Sequence, residues 1–397
     1  MIVSAAEPHP EAADVDSRPG SDKAAKPSLA GTCVAAIIDT SIVSGPSRQL
    51  VHLALGLRAH GVHLHVILFG GPHRASSALL PILEDAGIDH TIVLEKRRAD
   101  YSVVARLRKT LENIGANVIQ THGYRPAVLA YLLRRGGLRT PWVAFSHGVT
   151  TEDLKVRLYH RVDRWVSRRA DRIVVMSRRH AEDWSGVADK VDVIYNAVTD
   201  TIDSGDLPAA TASLVRSLPR PRLGVIGRLS SEKGVDVFLA ALSELRDRGI
   251  HLSAVIAGDG PEGAALEADV RRRGLAGSVV MLGTVQPIAP LYRELDAVVI
   301  PSRSEGLPNV LLEACRMDTP FLATKVGGIP EIVAPNRAGI LVEPGRATEL
   351  ADGLSTLLER LDDVDARDGR RRIADQVSLQ RRVDAHLELY TGLLCRT

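Results

Sequence analysis

The chain has 397 residues, 45% of them hydrophobic and 25% charged, which is typical of a globular protein long enough for two or more domains. Its three cysteines, Cys33, Cys315 and Cys395, are far apart and form no CxxC pair. This argues against a disulfide framework or a zinc ribbon and favours a reducing cytoplasm. Because no run of about 18 apolar residues occurs, the sequence predicts no transmembrane span.

Charge is distributed unevenly along the chain. The formal net charge is +2, but a count by segment gives about −2 for residues 1–31, about +8 for 32–198 and about −4 for 199–397. A basic first half suits phosphorylated substrates or an anionic membrane surface. Aromatic residues make up only 4% of the chain and no RNA-recognition or helix-turn-helix pattern is present, so nucleic acid is not an expected partner.

Residues 1–31 are rich in Ala, Pro, Ser, Asp and Lys without an apolar segment, which predicts a disordered tail. From Thr32 onward, short β-branched runs alternate with longer amphipathic segments, the pattern of βαβ units. The predicted strands of a first domain, 32–198, are Cys33–Ile38, Val62–Phe69, Asn117–Gln120, Trp142–Phe145, Arg172–Val175 and Val191–Ile194. They predict a mostly parallel, doubly wound α/β domain of Rossmann-like type.

The stretch Thr199–Pro221 shows little hydrophobic periodicity and is interpreted as the connection into a second domain, 199–375. There the alternation resumes, with a helix predicted over Val235–Arg248. The predicted strands are Arg222–Gly227, Leu252–Ile256, Ser278–Leu282, Ala297–Ile300, Phe321–Thr324 and Gly339–Val342. The run Arg360–Arg372 is interpreted as solvated helix and loop. Two such domains place a ligand cleft between the carboxyl ends of their sheets.

The loop after the first strand of the second domain reads Gly-Arg-Leu-Ser-Ser-Glu-Lys-Gly over residues 227–234. Arg228 and Lys233 lie five positions apart at the ligand edge, where both cations could reach a diphosphate. Charge-assisted hydrogen bonds of this kind contribute about 1.5–3 kcal/mol each. From the spacing alone, two surface cations remain the alternative.

A second strand-to-helix turn follows Ala297–Ile300. Pro308 suits the first turn of a helix, so the free backbone N–H groups of Leu307, Asn309 and Val310 would point at the cleft and can bind an anion.

Two carboxylates flank this turn. Glu305 precedes it and Glu313 lies one and a half turns into the helix, where it can accept hydrogen bonds from hydroxyls. The alternatives are a buried salt-bridge partner for Glu313 and a loop carboxylate near a positive helix end for Glu305. Two further glycine-containing loops, 258–261 and 327–331, allow close backbone approach.

Together these segments resemble the retaining glycosyltransferases of family 4, which have the GT-B fold. The resemblance extends from about Cys33 to the C-terminus and is most specific at 227–234, 258–261, the pair Glu305 and Glu313, and 327–331. It implies two Rossmann-like domains facing an interdomain cleft. It also implies that a last helix within 376–397, identified as Leu379–Leu394, crosses back to the first domain.

The resemblance assigns roles to individual residues. Arg228 and Lys233 would hold the donor diphosphate, Glu313 the ribose hydroxyls, and Glu305 the transferred sugar. The full donor-binding set is Arg228, Lys233, Gly258, Gly306, Leu307, Asn309, Val310 and Glu313. The residues expected to act in catalysis are Glu305, His147, Arg228 and Lys233.

In the first domain the resemblance is looser. Gly45 lies in a loop after the first strand that would face phosphate or acceptor, and Ser47 is predicted to cap the following helix. His122 and His147 follow two strand ends at the same edge, and His122 is grouped with Gly45 as an expected acceptor or phosphate contact. His147 corresponds to the family's cleft histidine, which would bind the donor sugar or stabilise developing charge. The alternatives are an ordinary capped turn and structural histidines.

Two further segments carry expectations. Leu154–Ala170 is a predicted basic amphipathic helix, for which packing on the sheet and contact with an anionic membrane both remain open. Asp318 stands where the family often has a glycine, so it is expected to accept the helix-end conformation, which Asp tolerates better than most residues.

The implied reaction moves a sugar from a nucleoside-diphosphate sugar to an acceptor hydroxyl with retention. Because Arg228 and Lys233 can replace a divalent metal, we expect transfer without metal or other cofactor. The alternatives are a different GT-B enzyme, such as a nucleotide-sugar epimerase or a glycan phosphorylase, and a non-catalytic nucleotide-sugar-binding partner. The acceptor stays open among a glycan, a lipid-linked sugar in cell-surface polysaccharide or glycolipid biosynthesis, and a phosphorylated molecule. A cytoplasmic protein, peripheral on the membrane in the lipid-linked case, is expected.

Overall fold

A computed structural model describes residues 29–73, 75–97, 100–147, 154–198 and 205–395. These residues form two parallel sheets, each covered by helices on both faces. The predicted tail lies almost entirely outside the described residues.

The first sheet has seven parallel strands in the order β3-β2-β1-β4-β5-β6-β7. The strands are β1 Cys33–Ile38, β2 His63–Gly70, β3 His90–Leu94, β4 Val118–His122, β5 Trp142–Ser146, β6 Arg172–Val175 and β7 Val191–Val193. The α-helices between them are α1 Gly45–Arg58, α2 Leu80–Asp85, α3 Val103–Asn113, α4 Tyr124–Arg135, α5 Leu154–Ser167 and α6 Arg178–Ala181.

The second sheet has six parallel strands in the order β10-β9-β8-β11-β12-β13. The strands are β8 Arg222–Ile226, β9 Ser253–Ala257, β10 Val279–Gly283, β11 Ala297–Ile300, β12 Phe321–Thr324 and β13 Ile340–Val342. The helices are α7 Ala209–Ser217, α8 Val235–Asp247, α9 Gly263–Arg272, α10 Ala289–Glu294, α11 Asn309–Arg316, α12 Ile329–Asn336, α13 Ala347–Leu358, α14 Val364–Gln376 and α15 Leu379–Leu394.

Both strand orders follow the Rossmann pattern, in which the winding reverses between the first and fourth strands of the sheet. The reversal lies between β1 and β4 in the first sheet and between β8 and β11 in the second. Loops that leave the carboxyl ends of these four strands splay apart and leave room for a ligand. This topology confirms the doubly wound fold predicted for both halves.

Side-chain alternation along the strands builds a core on each face of a sheet. In β1, Ala35 and Ile37 belong to a core shared with α3 and α4, whereas Val34, Ala36 and Ile38 belong to the opposite core. That opposite core continues from the first sheet into the second. The two sheets therefore share part of their hydrophobic interior.

The last helix, α15, returns to the first sheet as predicted. Its Tyr390 is fully buried and donates a hydrogen bond to Gln120 Oε1 on β4 at 2.7 Å. Val383 packs against Gly56 of α1, where an added Cβ would overlap the valine side chain. The helix closes one face of the first domain.

Two segments differ from the sequence-based expectation. The edge strand β3 was not predicted; its apolar run is only three residues long, Ile92–Leu94, and only Val93 of its five residues is buried. The connection predicted over 199–221 contains α7, whose buried residues are only Ala212 and Val215, too few to show helical periodicity.

The charged run 360–372 was also predicted incorrectly in part. It contributes to α14, and Arg370 in that helix is 2% exposed and pairs with Asp318 at 3.0 Å. Asp318 adopts φ +55° after the end of α11, as expected for the residue standing where a glycine is common. Its carboxylate thus provides the counter-charge for a buried guanidinium.

Candidate functional site

The cationic loop 227–234 leaves the carboxyl end of β8 and rests on the loop after β9. Gly227 N donates to Ala257 O at 2.9 Å, and Leu229 N donates to Asp259 O at 2.9 Å. Gly258 has φ +145°, and a Cβ there would lie 2.8 Å from the carbonyl carbon of Gly227 and closer still to its oxygen. The Gly258 position therefore sets the course of the backbone that carries Arg228.

Arg228 and Lys233 differ in their surroundings. Arg228 is exposed, and its side chain forms neither a hydrogen bond nor an ion pair with the residues that the structure describes. Lys233 Nζ lies 2.7 Å from Glu305 Oε1, and Ser302 Oγ donates to the same oxygen at 2.7 Å. Two residues assigned by resemblance to different parts of the donor are thus paired with each other.

The pairing follows from the packing of two loops. Gly234 follows one turn of 3-10 helix, residues 231–233, and has φ +65°. A Cβ there would lie 3.0 Å from the carbonyl carbon of Pro301. Arg303 N also donates to Glu232 O at 2.7 Å. The loops that follow β8 and β11 are therefore held side by side, which brings Lys233 to Glu305.

The turn before α11 presents unpaired backbone donors. In the described part of the chain, the N–H groups of Leu307, Asn309 and Val310 donate to no backbone or side-chain acceptor. The carbonyl of Gly306 accepts from Gly328 N at 2.6 Å, so the loop 327–328 supports the turn from behind. Free N–H groups at a helix N-terminus bind anions, and the geometry fits the predicted phosphate site.

The first domain closes over this turn. A Cβ at Gly306 would lie 3.1 Å from the carbonyl oxygen of His147, and a Cβ at Gly45 would lie 3.4 Å from Asn309 Nδ2. The structure therefore brings the predicted residues of both domains to one cleft between the carboxyl ends of the two sheets.

Glu313 accepts a hydrogen bond from the hydroxyl of Tyr292 at 2.6 Å. Tyr292 is 1% exposed, and burial together with the Glu313 carboxylate raises its pKa well above the usual value. The tyrosine stays protonated and orients the carboxylate.

The two histidines are joined in a chain of hydrogen bonds that is buried at Gln120 and His122 and partly exposed at His147. Gln120 Nε2 lies 3.2 Å from His122 Nε2, and His122 Nδ1 lies 2.9 Å from His147 Nε2. Since the amide nitrogen donates, His122 accepts at Nε2 and donates from Nδ1, which leaves the proton of His147 on Nδ1. Burial and the charge of Arg382 lower the pKa of His147 to about 3, so its ring is neutral near pH 7.

The capping prediction at α1 was wrong by three residues. Ser44 is the N-cap: its side chain accepts from Ser47 N, and Ser47 Oγ accepts from Ser44 N in a reciprocal capping box. Ser47 is the third residue of the helix, which begins at Gly45. The loop therefore ends earlier and places Gly45 in the first turn.

Sequence reasoning missed Gln49, which is 2% exposed and connects four parts of the chain. Its amide exchanges hydrogen bonds with the backbone of Ala197, donates to Asn309 Oδ1 at 3.2 Å and accepts from Arg382. The available signal was a polar residue among the buried apolar positions of α1. Its role depends on partners about 150, 260 and 330 positions away along the sequence.

A polar cavity was missed as well. Its volume is about 340 Å³, and it lies at the carboxyl ends of β1, β2 and β3. Arg125 forms part of its wall and pairs with Asp39 at 2.8 Å and with Glu95. Its guanidinium carbon lies 4.5 Å from the centre of the Phe69 ring. Its lining also includes Thr40, Ser41, His73 and Arg97.

The α5 helix shows an exposed aromatic and basic face. Trp165 is 51% exposed, with the Arg169 guanidinium 3.7 Å from the centre of its ring. Tyr131 of α4 meets the same ring edge-on. The sequence also places Lys155 and Arg157 on the basic face and Leu158 on the apolar face of this helix, but these three side chains lie outside those that the structure describes. No helix in the described residues is both long and apolar enough to cross a bilayer.

Two family models match the chain. The Glycosyltransferase Family 4 model matches residues 43–201, and the Glycosyl transferases group 1 model matches residues 220–360. The 2-deoxystreptamine glucosyltransferase of Streptomyces kanamyceticus is 30% identical over 257 residues, 62% of this chain and 66% of that relative. The D-inositol 3-phosphate glycosyltransferase of Mycobacteroides abscessus is 31% identical over 204 residues, 48% of this chain and 45% of its own. The match thus spans about half to two thirds of these curated relatives.

Among solved structures, Anabaena HepE in complex with UDP-glucose matches with a TM-score of 0.78 and 21% identity. The match covers 91% of this chain and 100% of HepE. Two Rossmann-like sheets facing one cleft define the GT-B class. Within that class, the chain belongs to glycosyltransferase group 1, family 4.

Proposed function

We propose that this protein transfers a sugar from a nucleoside-diphosphate sugar to an acceptor hydroxyl with retention of the anomeric configuration. The observation that carries the proposal is the meeting of Arg228, the Lys233–Glu305 pair and the unpaired amides before α11 at one edge of the second sheet. The UDP-glucose bound to HepE, a protein of the same fold, supports a uridine nucleotide as the first donor to test.

The chain's own residues suggest how the reaction proceeds. The bond between the anomeric carbon and the diphosphate oxygen breaks, and its electron pair leaves with the diphosphate. Arg228, Lys233 and the amides of Leu307 and Asn309 stabilise that charge without a metal ion. Lys233 also neutralises Glu305, which then orients the sugar.

The acceptor oxygen bonds to the anomeric carbon on the face that the diphosphate leaves. Its proton passes to a departing phosphate oxygen, so no protein carboxylate is needed as the base. His147, neutral and protonated on Nδ1, supplies a hydrogen-bond donor and not a cation. Isolation of a sugar covalently bound to Glu305 would overturn this scheme.

The first experiment measures thermal stabilisation by UDP, GDP, ADP and dTDP without metal, followed by transfer kinetics with the matching donor. A ligand at about 100 times its Kd adds about 2.7 kcal/mol to the free energy of unfolding. Arg228→Ala and Lys233→Ala should each lower kcat/KM at least tenfold, a loss of about 1.4 kcal/mol or more of transition-state stabilisation.

Arg248→Ala is the matched control, because Arg248 forms exposed ion pairs at the opposite end of α8. It should leave kcat/KM unchanged. Unaltered kinetics in both loop variants would remove the proposed diphosphate site. Product formation without an acceptor would favour an epimerase, and nucleotide binding without turnover a binding partner.

For the acceptor we propose a polyhydroxylated ring bound in the cavity beside Arg125. A volume of about 340 Å³ fits one sugar or cyclitol ring, and the cavity lining contains hydroxyls, one carboxylate and two guanidinium groups. The two curated relatives are named for 2-deoxystreptamine and inositol phosphate, both cyclitols. Arg125→Gln should raise the acceptor KM at least tenfold and leave the UDP affinity unchanged.

A lipid-linked acceptor is the second candidate, favoured by the exposed Trp165 and the arginines of α5. Interfacial tryptophan and basic residues are typical of peripheral membrane contact. In this case the protein would bind vesicles containing anionic phosphatidylglycerol more tightly than neutral vesicles, and Trp165→Ser would weaken that binding. Equal sedimentation with both vesicle types would remove the membrane proposal.

A further inference from the structure

Arg382 on α15 is a buried cation whose partners are neutral. It is 4% exposed and donates to Gln49 Oε1 and to Asn196 Oδ1, the latter at 3.3 Å. Among the residues that the structure describes, no carboxylate lies within ion-pair distance of its guanidinium, and its Nε has no hydrogen-bond partner. Arg370, buried to the same degree, has Asp318 as its counter-charge.

An uncompensated buried charge destabilises a fold, because water is lost and no opposite charge replaces it. Burial accordingly lowers the pKa of Arg382 to about 10. Proteins typically retain a destabilising buried group of this kind where it contributes to ligand binding. An anionic ligand would supply the missing counter-charge.

The two side chains that hold Arg382 also hold the turn before α11. Gln49 Nε2 donates to Asn309 Oδ1 at 3.2 Å, and Asn196 Nδ2 donates to Leu307 O at 3.1 Å. Leu307 and Asn309 carry two of the unpaired N–H groups of the candidate phosphate site. Arg382 is therefore one side chain behind that site.

The charge of Arg382 also acts on the two histidines on the first-domain side of the cleft. It lowers the pKa of both His122 and His147, in addition to the effect of burial. Because both histidines are neutral, the positive charge behind the phosphate turn comes from Arg382 and not from a protonated imidazole.

We propose that Arg382 is a positioning residue of the donor site: its charge attracts the diphosphate bound at the turn 307–310, and Gln49 and Asn196 couple it to that turn. This inference rests on the proposed function, because it takes a nucleoside diphosphate as the ligand. It adds a third cation, supplied by the helix that crosses back from the second domain.

The test compares the binding of UDP and uridine, which differ only in the diphosphate, to wild type and Arg382→Gln. We expect Arg382→Gln to raise the Kd for UDP at least tenfold and to change the Kd for uridine less than twofold. Arg382→Lys, which keeps the charge, should bind UDP within threefold of wild type. The unliganded melting temperature of Arg382→Gln should not fall, because the removed charge has no counter-charge.

Arg370→Gln is the matched control, a buried arginine with a carboxylate partner. It should lower the melting temperature and leave the ratio of the two Kd values unchanged. If Arg382→Gln does not fold, Arg382→Met removes the charge, fills much of the same volume and leaves Gln49 intact, and it should produce the same selective loss of UDP binding.

An equal change in UDP and uridine binding, or no change in either, in the variant measured would overturn the role of Arg382. Failure of the proposed function gives a different result. In that case the wild type itself would bind UDP no more tightly than uridine.

Discussion

Gly258→Ala is expected to destabilise the second domain and displace the cationic loop. Residue 258 has φ +145°, a conformation nearly restricted to glycine, which costs about 1–3 kcal/mol for another residue. The added Cβ would also overlap the carbonyl group of Gly227, and the required shift of the loop adds about 1–3 kcal/mol. Together these costs are about 2–6 kcal/mol, and a value in the middle, about 4 kcal/mol, corresponds to a fall in melting temperature of about 8–16 °C for a domain of this size.

Two other glycines separate the two causes. Gly277 has neither a positive φ nor a close neighbour, so Gly277→Ala should shift the free energy of unfolding by less than about 0.5 kcal/mol. Gly249 has φ +81° with nothing within 4 Å of an added Cβ, so Gly249→Ala reports backbone strain alone. Gly258→Ala should exceed both.

The assay is differential scanning calorimetry with and without UDP. Because the overlap moves the backbone next to Arg228, Gly258→Ala should also reduce the UDP-induced rise in melting temperature, whereas the two controls should retain it. If Gly258→Ala were no less stable than Gly249→Ala and responded normally to UDP, the packing of the loops after β8 and β9 would not position the cation.

The remaining predictions concern pH and a buried ion pair. Burial lowers the pKa of His147 and His386 to about 3, below the usual 6.5, so the unfolded chain binds more protons between these values. Their contribution to stability is present above pH 6.5 and is lost as the pH falls toward 3; in urea unfolding, His386→Phe should flatten this dependence, and an unchanged slope would contradict the reasoning. Asp318→Asn leaves the buried Arg370 without its counter-charge and should lower the free energy of unfolding by about 2 kcal/mol. Asp352→Asn, which breaks an exposed pair with Arg248, should cost less than about 1 kcal/mol in the same assay; equal losses in the two variants would refute the assigned role of Asp318.

The fold was predictable because buried parallel strands produce compact apolar runs. Cys33–Ile38, Arg172–Val175, Ala297–Ile300 and Phe321–Thr324 are strands with the predicted bounds. Helices cover both faces of each sheet, so nearly every position of these strands must be apolar. The edge strand β3, in which only Val93 is buried, has a shorter apolar run and was not predicted.

The candidate site was predictable where one short segment carries the chemistry. The loop 227–234 and the turn before α11 contain residue types that predict anion binding, namely Arg228, Lys233 and the free amides of the turn. Contacts between segments were not accessible from the sequence, since the pairing of Lys233 with Glu305 depends on two loops packing side by side. Gln49 has partners in three distant segments, which local patterns do not reveal.

The return of α15 to the first sheet has a consequence for the order in which the protein is completed. Residues 379–394 are synthesised after the whole second sheet, yet Tyr390 and Val383 pack on β4 and α1. In three dimensions the second domain is an insertion between two parts of the first. During synthesis the first sheet keeps an uncovered apolar face until the second domain has emerged, so a fragment ending near residue 198 would lack part of its own core.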